Sequence, residues 1–267
     1  HRTLQGLILD FTNDFFIQAQ GVIERFFRAQ RSHIKELHGK ADVELKADHT
    51  VVTELDKRLE QELREELAKF DSKIGFEGEE FGIEGSRETY WLIDPIDGTE
   101  NFVRGLPFVR NIVTLVDNNK PVFALVYKPI TDELYVAAEG EGTYRNGIPV
   151  HVSSRSLDRS WIELSTWLPK AGAAEVATAL NQKINGFRTT GEFLYVVEGK
   201  LDGLVGYKTG GGPWDYAPRA LLIQEAGGKV ANIGSDSYDF RNNDFVMANP
   251  VIFDDLMEII TKTIDKK

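Results

Sequence analysis

The stretch Trp91-Leu92-Ile93-Asp94-Pro95-Ile96-Asp97-Gly98-Thr99-Glu100-Asn101-Phe102 constrains this chain more than any other. Trp91, Leu92 and Ile93 form the short apolar run that a buried strand needs. Pro95 has no N–H for a ladder bond and holds Asp94 extended, so the strand is expected to stop there. Asp94 and Asp97 then flank the bend. Gly98 lets the backbone come close to a ligand, and Thr99 is an N-cap candidate that would aim free N–H groups above the turn. An Asp-rich turn is one reading of these residues. The other is a metal site. Two carboxylates about 4 Å apart repel by roughly 4 kcal/mol at an effective dielectric of 20, which a cation, a shared proton or splaying must relieve. All the donors are oxygens, which suits a hard ion.

The run Asp94-Pro95-Ile96-Asp97-Gly98-Thr99, followed by Asn101-Phe102, resembles the signature of the inositol monophosphatase family, whose superfamily includes fructose bisphosphatases and 3′-nucleotide phosphatases. Three further matches stand in the same order along the chain: Lys46 with Thr53-Glu54-Leu55-Asp56, Gly78-Glu79-Glu80, and Trp214-Asp215 leading into Glu225-Ala226-Gly227-Gly228. The resemblance implies an α/β fold, layered α-β-α-β-α, with two lobes around one cleft. It implies Glu79, Asp94, Asp97, Asp215 and the Ile96 carbonyl as metal ligands, and Lys46, Asp56, Glu79 and Thr99 as catalytic residues. Gly98, Thr99, Gly191, Glu192, Lys208 and Asp215 fall where substrate binds. Two or three Mg²⁺ ions, replaceable by Mn²⁺, and inhibition by Li⁺ come with the family. So does a homodimer, which the phenylalanine-rich first helix would favour if it exposed apolar surface.

A net charge of −11 disfavours a nucleic-acid or anionic-membrane surface, and would repel a phosphorylated substrate unless the site carries local cations. No apolar run approaches a membrane span. The chain has no cysteine, which rules out thiolate metal sites and cysteine nucleophiles. None of its five histidines lies in the motifs, so a histidine nucleophile is not expected. A cytoplasmic location is the default.

Residues 4–30 read as an amphipathic helix through Leu4, Leu7, Ile8, Phe11, Phe15, Ala19, Val22, Ile23 and Phe26, chiefly a packing surface. Val43 with Leu45 and Val51 with Val52 suggest two strands around an Asp48-His49 turn. Thr53 caps a helix with Leu55, Leu59, Leu63 and Leu67 on one face. Read alone, Asp56 is a helix-start carboxylate, and Glu77, Glu79 and Glu80 are a solvated loop after a strand at residues 74–76. Residues 81–89 read as a loop. Strand-like runs follow at 112–116, 122–127 and 134–138, with a hairpin turn at Asn146-Gly147. Beyond Val152 strands and helices alternate: strands at 161–164, 187–189 and 204–207, helices at 173–180, 192–198, 215–225 and 251–263. That switch suggests an N-terminal lobe of about 1–150 carrying the metal motifs and a C-terminal lobe of about 151–267 carrying the substrate segment. The Gly210-Gly211-Gly212 triplet lacks the Lys-Ser/Thr of a phosphate loop and reads as a turn that delivers Trp214-Asp215, with Asp215 an N-cap candidate.

The expected reaction is metal-assisted hydrolysis of a small phosphomonoester, inositol-1-phosphatase-like. Sugar phosphates (fructose 1,6-bisphosphate among them), histidinol phosphate and nucleotide phosphates are the alternatives. A haloacid-dehalogenase-type phosphatase spaces its aspartates i, i+2, whereas Asp94 and Asp97 are i, i+3 with a proline between. A regulatory, protein-binding role is the alternative from another class. Asp97→Asn is expected to abolish turnover and, by relieving repulsion, to spare the fold. The family's second substrate segment, Arg-Ser-x-Gly-Ser/Thr-Ala, is here Arg188-Thr189-Thr190-Gly191-Glu192-Phe193, and Lys208 stands where inositol-hydrolysing members tend to carry a glutamate. Glu192 and Lys208 either pair with each other or read the substrate.

Overall fold

The computed structural model describes residues 13–45, 51–166 and 172–265. Lys46, the Asp48-His49 turn and residues 4–12 of the expected first helix lie outside them. In chain order the elements are α1 (Asn13–Leu37), β1 (Glu44–Leu45), β2 (Val51–Val52), α2 (Glu54–Phe70), β3 (Gly75–Gly78), β4 (Gly82–Glu84), β5 (Thr89–Asp97) and α3 (Thr99–Val103). Next come β6 (Arg110–Asp117), β7 (Lys120–Lys128), β8 (Glu133–Ala138), β9 (Gly142–Arg145), β10 (Ile148–Pro149), β11 (Trp161–Thr166) and α4 (Ala173–Asn181). The chain continues through β12 (Gly186–Arg188), α5 (Leu194–Val197), β13 (Gly203–Tyr207), α6 (Pro213–Glu225), β14 (Lys229–Asn232), β15 (Phe245–Ala248) and α7 (Phe253–Ile264).

An eight-stranded sheet runs β10-β9-β8-β7-β6-β5-β3-β4, and a five-stranded one runs β12-β11-β13-β15-β14. Side chains on β5 to β8 alternate between two apolar layers. Trp91, Ile93, Val113, Leu115, Phe123 and Leu125 pack with Phe16, Ile23 and Phe27 of α1 and Leu63 and Leu67 of α2. Tyr90, Leu92, Ile112, Ala124, Val126 and Tyr135 pack with α5 and α6, whose other side meets Leu204, Phe245 and Met247 of the second sheet. Helices α4 and α7 cover the outer face of that second sheet. The result is five alternating layers, α-β-α-β-α, as the resemblance implies. Both faces of the large sheet are covered, so its strands read as continuous apolar runs.

Helix α1 reaches Leu37, beyond the expected end at residue 30. Its aromatic residues turn inward: Phe16 and Phe27 are buried, and Phe15 and Phe26 pack against buried cores. The aromatic residues of α1 therefore lend no support to a dimer surface. Residues 82–84, expected as loop, form β4, antiparallel to β3. Strands β14 and β15 were not anticipated, although β15 sits between β13 and β14 in the second sheet.

Candidate metal centre

Strand β5 does not stop at Pro95. It continues to Asp97 across a bulge, pairing Asp94 with Ile112 and Asp97 with Arg110, so that two residues on β5 face one on β6. The extra residue accommodates a proline that cannot join the ladder. Asn111 Nδ2 donates to the Pro95 carbonyl at 2.5 Å and fixes the bulge. In a regular strand residues i and i+3 point to opposite faces. The bulge resets that phase, and carboxylate oxygens of Asp94, Asp97 and Asp215 all lie within 4.8 Å of one another.

The remaining walls come from element ends. Gly98 has φ +86, and a Cβ there would stand 2.5 Å from the Phe108 carbonyl oxygen, so glycine is required. Gly98, not Thr99, occupies the cap position of α3. Thr99 is the first helical residue, which frees its hydroxyl to donate to Asp56 Oδ1 at 3.0 Å, with the Ile96 carbonyl 2.9 Å away. Asp56 in turn accepts the Thr53 N–H at 2.9 Å and the Thr53 hydroxyl, closing the capping box of α2. The apolar stripe of α2 anchors this corner: Leu55 and Leu59 pack with Ile96, Phe102 and Val109 around the bend. Burial pushes the Asp56 carboxyl upward against the opposing hydrogen bonds from Thr53 and Thr99.

Glu79 follows β3, its N–H bonded to the Ile93 carbonyl at 3.2 Å. Gly78 before it leaves room for a buried Glu60, which accepts the Glu80 N–H at 2.8 Å and pairs with Arg64 at 2.7 Å. Asp215 sits in the first turn of α6, three residues after the actual cap, Gly212. Its Oδ2 accepts the Gly212 N–H at 2.8 Å. A Cβ on Gly211 would lie 2.6 Å from that oxygen, which explains a glycine there.

Asp94 and Asp97 differ electrostatically. Burial raises the Asp94 carboxyl well above the usual carboxylate range, and Glu79, Asp97 and Asp215 push it further. Its Oδ1 is buried without a hydrogen-bond partner. Burial also opposes ionisation of Asp97, but the guanidiniums of Arg110 and Arg219 outweigh it and hold that group low. Asp215 is pushed up to about 6, by burial first, with Arg219 opposing. An unpartnered, desolvated oxygen facing two further carboxylates fits a hard divalent cation, since nothing else in the described protein neutralises Asp94.

The substrate segment departs from expectation. Glu192 is fully buried and does not pair with Lys208. Its Oε1 lies 3.0 Å from Arg110 and its Oε2 2.9 Å from Lys128. A buried carboxylate needs buried cations, whereas Lys208 is exposed at the end of β13, with its N–H on Asp244 at 2.5 Å and its ammonium 5.3 Å from the Tyr207 ring centre. Gly191 accepts Arg110 at 2.9 Å through its carbonyl and donates to the buried Glu163 at 2.7 Å. The sequence reading missed Arg110, Arg219, Lys128, Glu163 and Glu60. Two signals were available: charged residues at the ends of apolar strands, and Arg219 at helical spacing from Asp215.

Residues 14–265 match the model of the inositol monophosphatase family. The chain is 30% identical over 244 residues to a fructose-1,6-bisphosphatase/inositol-1-monophosphatase of Aquifex aeolicus, covering 86% of this chain and 90% of that protein. It is 31% identical to inositol monophosphatase 1 of Solanum lycopersicum, with 85% and 88% covered. Among solved structures, a Thermotoga maritima IMPase superposes with a TM-score of 0.82 at 25% identity, covering 93% of this chain and 99% of that one.

Proposed function

The chain belongs to the inositol monophosphatase family and is a phosphoric monoester hydrolase of that type, and on that premise we propose that Glu79, Asp94, Asp97, Asp215 and the Ile96 carbonyl hold Mg²⁺ at its active centre. The observation that carries the reading is the buried, unpartnered Oδ1 of Asp94 within a three-carboxylate group. When bound, the metal supplies Lewis-acid stabilisation of the phosphoryl and leaving oxygens, and Mn²⁺ would substitute. The protein supplies the positioning. Because Thr99 donates its proton to Asp56, its oxygen lone pairs are left to accept from a water aimed at phosphorus. The proton from that water has a route through the Thr99 hydroxyl to Asp56, whose other oxygen is held by Thr53. The Gly98 and Thr99 backbone N–H groups are assigned to the phosphate oxygens by the resemblance. Lys46 keeps the catalytic role the resemblance gives it, outside the described residues.

The substrate we favour is a small phosphorylated polyol, inositol 1-phosphate first, with fructose 1,6-bisphosphate next because the Aquifex aeolicus relative bears both names. Gly191, Lys208 and Asp215 are the proposed contacts on the leaving-group side. Glu192, expected there too, is buried with its carboxylate paired to Arg110 and Lys128. A cytoplasmic homodimer inhibited by Li⁺ is also proposed, on the resemblance alone. Among the described residues, no helix is long and apolar enough to cross a membrane.

Phosphate release should be measured across inositol, fructose, histidinol and nucleotide phosphates, with Mg²⁺ and after EDTA. We expect turnover on at least one polyol phosphate that EDTA abolishes and Mg²⁺ restores. Full turnover after EDTA and dialysis would overturn the metal centre.

A further inference from the structure

At the end of β5 opposite the bulge, three loop segments converge on the large sheet. Asn118 in the β6–β7 turn donates its N–H to the Glu88 carbonyl at 2.8 Å, which sets that turn beside the residues entering β5. The segment joining β14 and β15 contributes Arg241. Its two Nη groups hold the Glu77 carboxylate of β3 at 3.0 and 2.6 Å, and one also donates to the Tyr90 hydroxyl at 3.1 Å. Among them lies a cavity of about 260 Å³ whose polar lining is Glu77, Ser86, Arg87, Tyr90, Asn119 and Arg241. Donors outnumber acceptors there. Glu77 is the one carboxylate in the lining, and Arg241 occupies both its oxygens. Tyr90 is 4% exposed, and its hydroxyl accepts from Arg241 while its own proton meets no acceptor among the described residues. The Ser86 hydroxyl accepts the N–H groups of Glu88 and Thr89 at 3.3 and 3.2 Å, and its proton is likewise unclaimed. The side chains of Arg87 and Asn119 have no partner among the described residues. Neighbouring acids are engaged elsewhere: Asp117 accepts from Thr89 and Asn118, and Asp239 accepts the Arg241 N–H. Two guanidiniums against one carboxylate leave surplus positive charge, in a chain whose net charge is −11.

We propose that this cavity binds a phosphate group, at a site separate from the catalytic centre. A buried hydroxyl proton without an acceptor costs free energy that a ligand oxygen recovers. The Arg241 fork, which would suit a planar carboxylate, is already filled by Glu77. The remaining donors arrive singly from the β4–β5 turn, from β5 and from the β6–β7 turn, which suits a tetrahedral anion with acceptors on every side. The cavity is smaller than the roughly 300–1,000 Å³ typical of sites for larger organic ligands. Tyr90 precedes Asp94 by four residues on β5, which places the site about 13 Å along the strand from the carboxylate cluster. A bound phosphate group would tie the β14–β15 segment of the second sheet to β3, which runs directly into Glu79.

The test is calorimetric titration of the full-length chain with inorganic phosphate and with glycerol 2-phosphate, after metal removal by EDTA and dialysis. The acidic cluster repels phosphate without its metal, so binding under these conditions reads the cavity. One phosphate group per chain is expected. Arg87→Ala should weaken it about tenfold or more by removing a charge-assisted bond. Asn119→Gly, which keeps the left-handed backbone (φ 62) while removing the amide, should weaken it about threefold. Both residues are exposed, so the fold is retained. Tighter binding of inorganic phosphate identifies the free anion as the ligand, and tighter binding of the ester identifies a phosphorylated metabolite. No binding by the metal-free chain, or binding that both variants leave unchanged, would overturn the site. Phosphate binding that appears only when Mg²⁺ is restored would also overturn it, while supporting the metal centre proposed above.

Discussion

Replacing Asp94 by asparagine removes a carboxylate that crowds two others and costs no ion pair, because Asp94 forms none among the described residues. The metal-free protein should gain on the order of 1 kcal/mol in urea unfolding with chelator present, while losing divalent-ion binding. Asp97→Asn should behave oppositely. It strands the buried Arg110, a loss of about 3 kcal/mol, at the lower end for a broken buried pair because Glu192 still holds the guanidinium. Sequence reasoning expected Asp97→Asn to spare the fold, since repulsion was visible in the spacing and the partner, thirteen residues away across a bulge, was not. A third residue-level outcome concerns pH. The Tyr127 hydroxyl donates to Asp132 at 2.8 Å; burial, then this bond, raises Tyr127 to about 12, and the same bond, helped by Arg28 and Arg31, holds Asp132 low. Unfolded Asp132 keeps its proton to higher pH than folded Asp132, so this stability is present above about pH 4 and is lost as pH falls through the folded value. Unfolded tyrosine ionises near pH 10, so stability falls again as pH rises from about 10 to 12. Tyr127→Phe should flatten both limbs in urea titrations at about pH 3, 7 and 11.

Elements whose register is set by their own periodicity were legible. Helix α2 is the plain case, with leucines at 55, 59, 63 and 67 and a threonine cap. Elements set by distant partners were not. Strands β14 and β15 are four residues each, and the segment joining them is dense in Asn, Asp, Ser and Gly, so nothing local separates them from turns. The end of β5 was misread for a related reason: a proline terminates a strand unless the neighbour supplies a bulge, and Asn111 does. The Glu77–Glu80 stretch looked like solvated acid because its partners are distant in sequence: Arg241 holds the Glu77 carboxylate, and Glu60 on α2 accepts the Glu80 N–H. Gly78→Ala tests that arrangement. A Cβ there would sit 1.9 Å from Oε1 of Glu60, which is fully buried and paired with Arg64. Displacing the Glu60–Arg64 pair should cost about 2–4 kcal/mol in chemical denaturation and weaken divalent-ion binding through Glu79.

At the scale of the molecule, α6 carries more than Asp215. Leu221, Leu222 and Ile223 are buried between the two sheets in one continuous apolar layer. The switch of pattern near residue 150, which suggested two lobes, marks the passage from one sheet to the other, and this layer spans that passage. Unfolding should therefore be a single calorimetric transition, and Leu222→Ala should lower the stability of the whole by about 2–5 kcal/mol without splitting it. Two resolved transitions would show that the sheets unfold independently.

The bulge at Pro95-Ile96 also limits how this stretch can change over generations. Identity and count are separately constrained here, because substituting Ile96 alters a side chain whereas inserting one residue inverts the direction of everything after it. One more residue between Asp94 and Asp97 would turn Asp97 away from Asp94 and Asp215 and Arg110 away from its partner. A change of side chain at Ile96 leaves the phase of β5 intact, whereas a change of length does not.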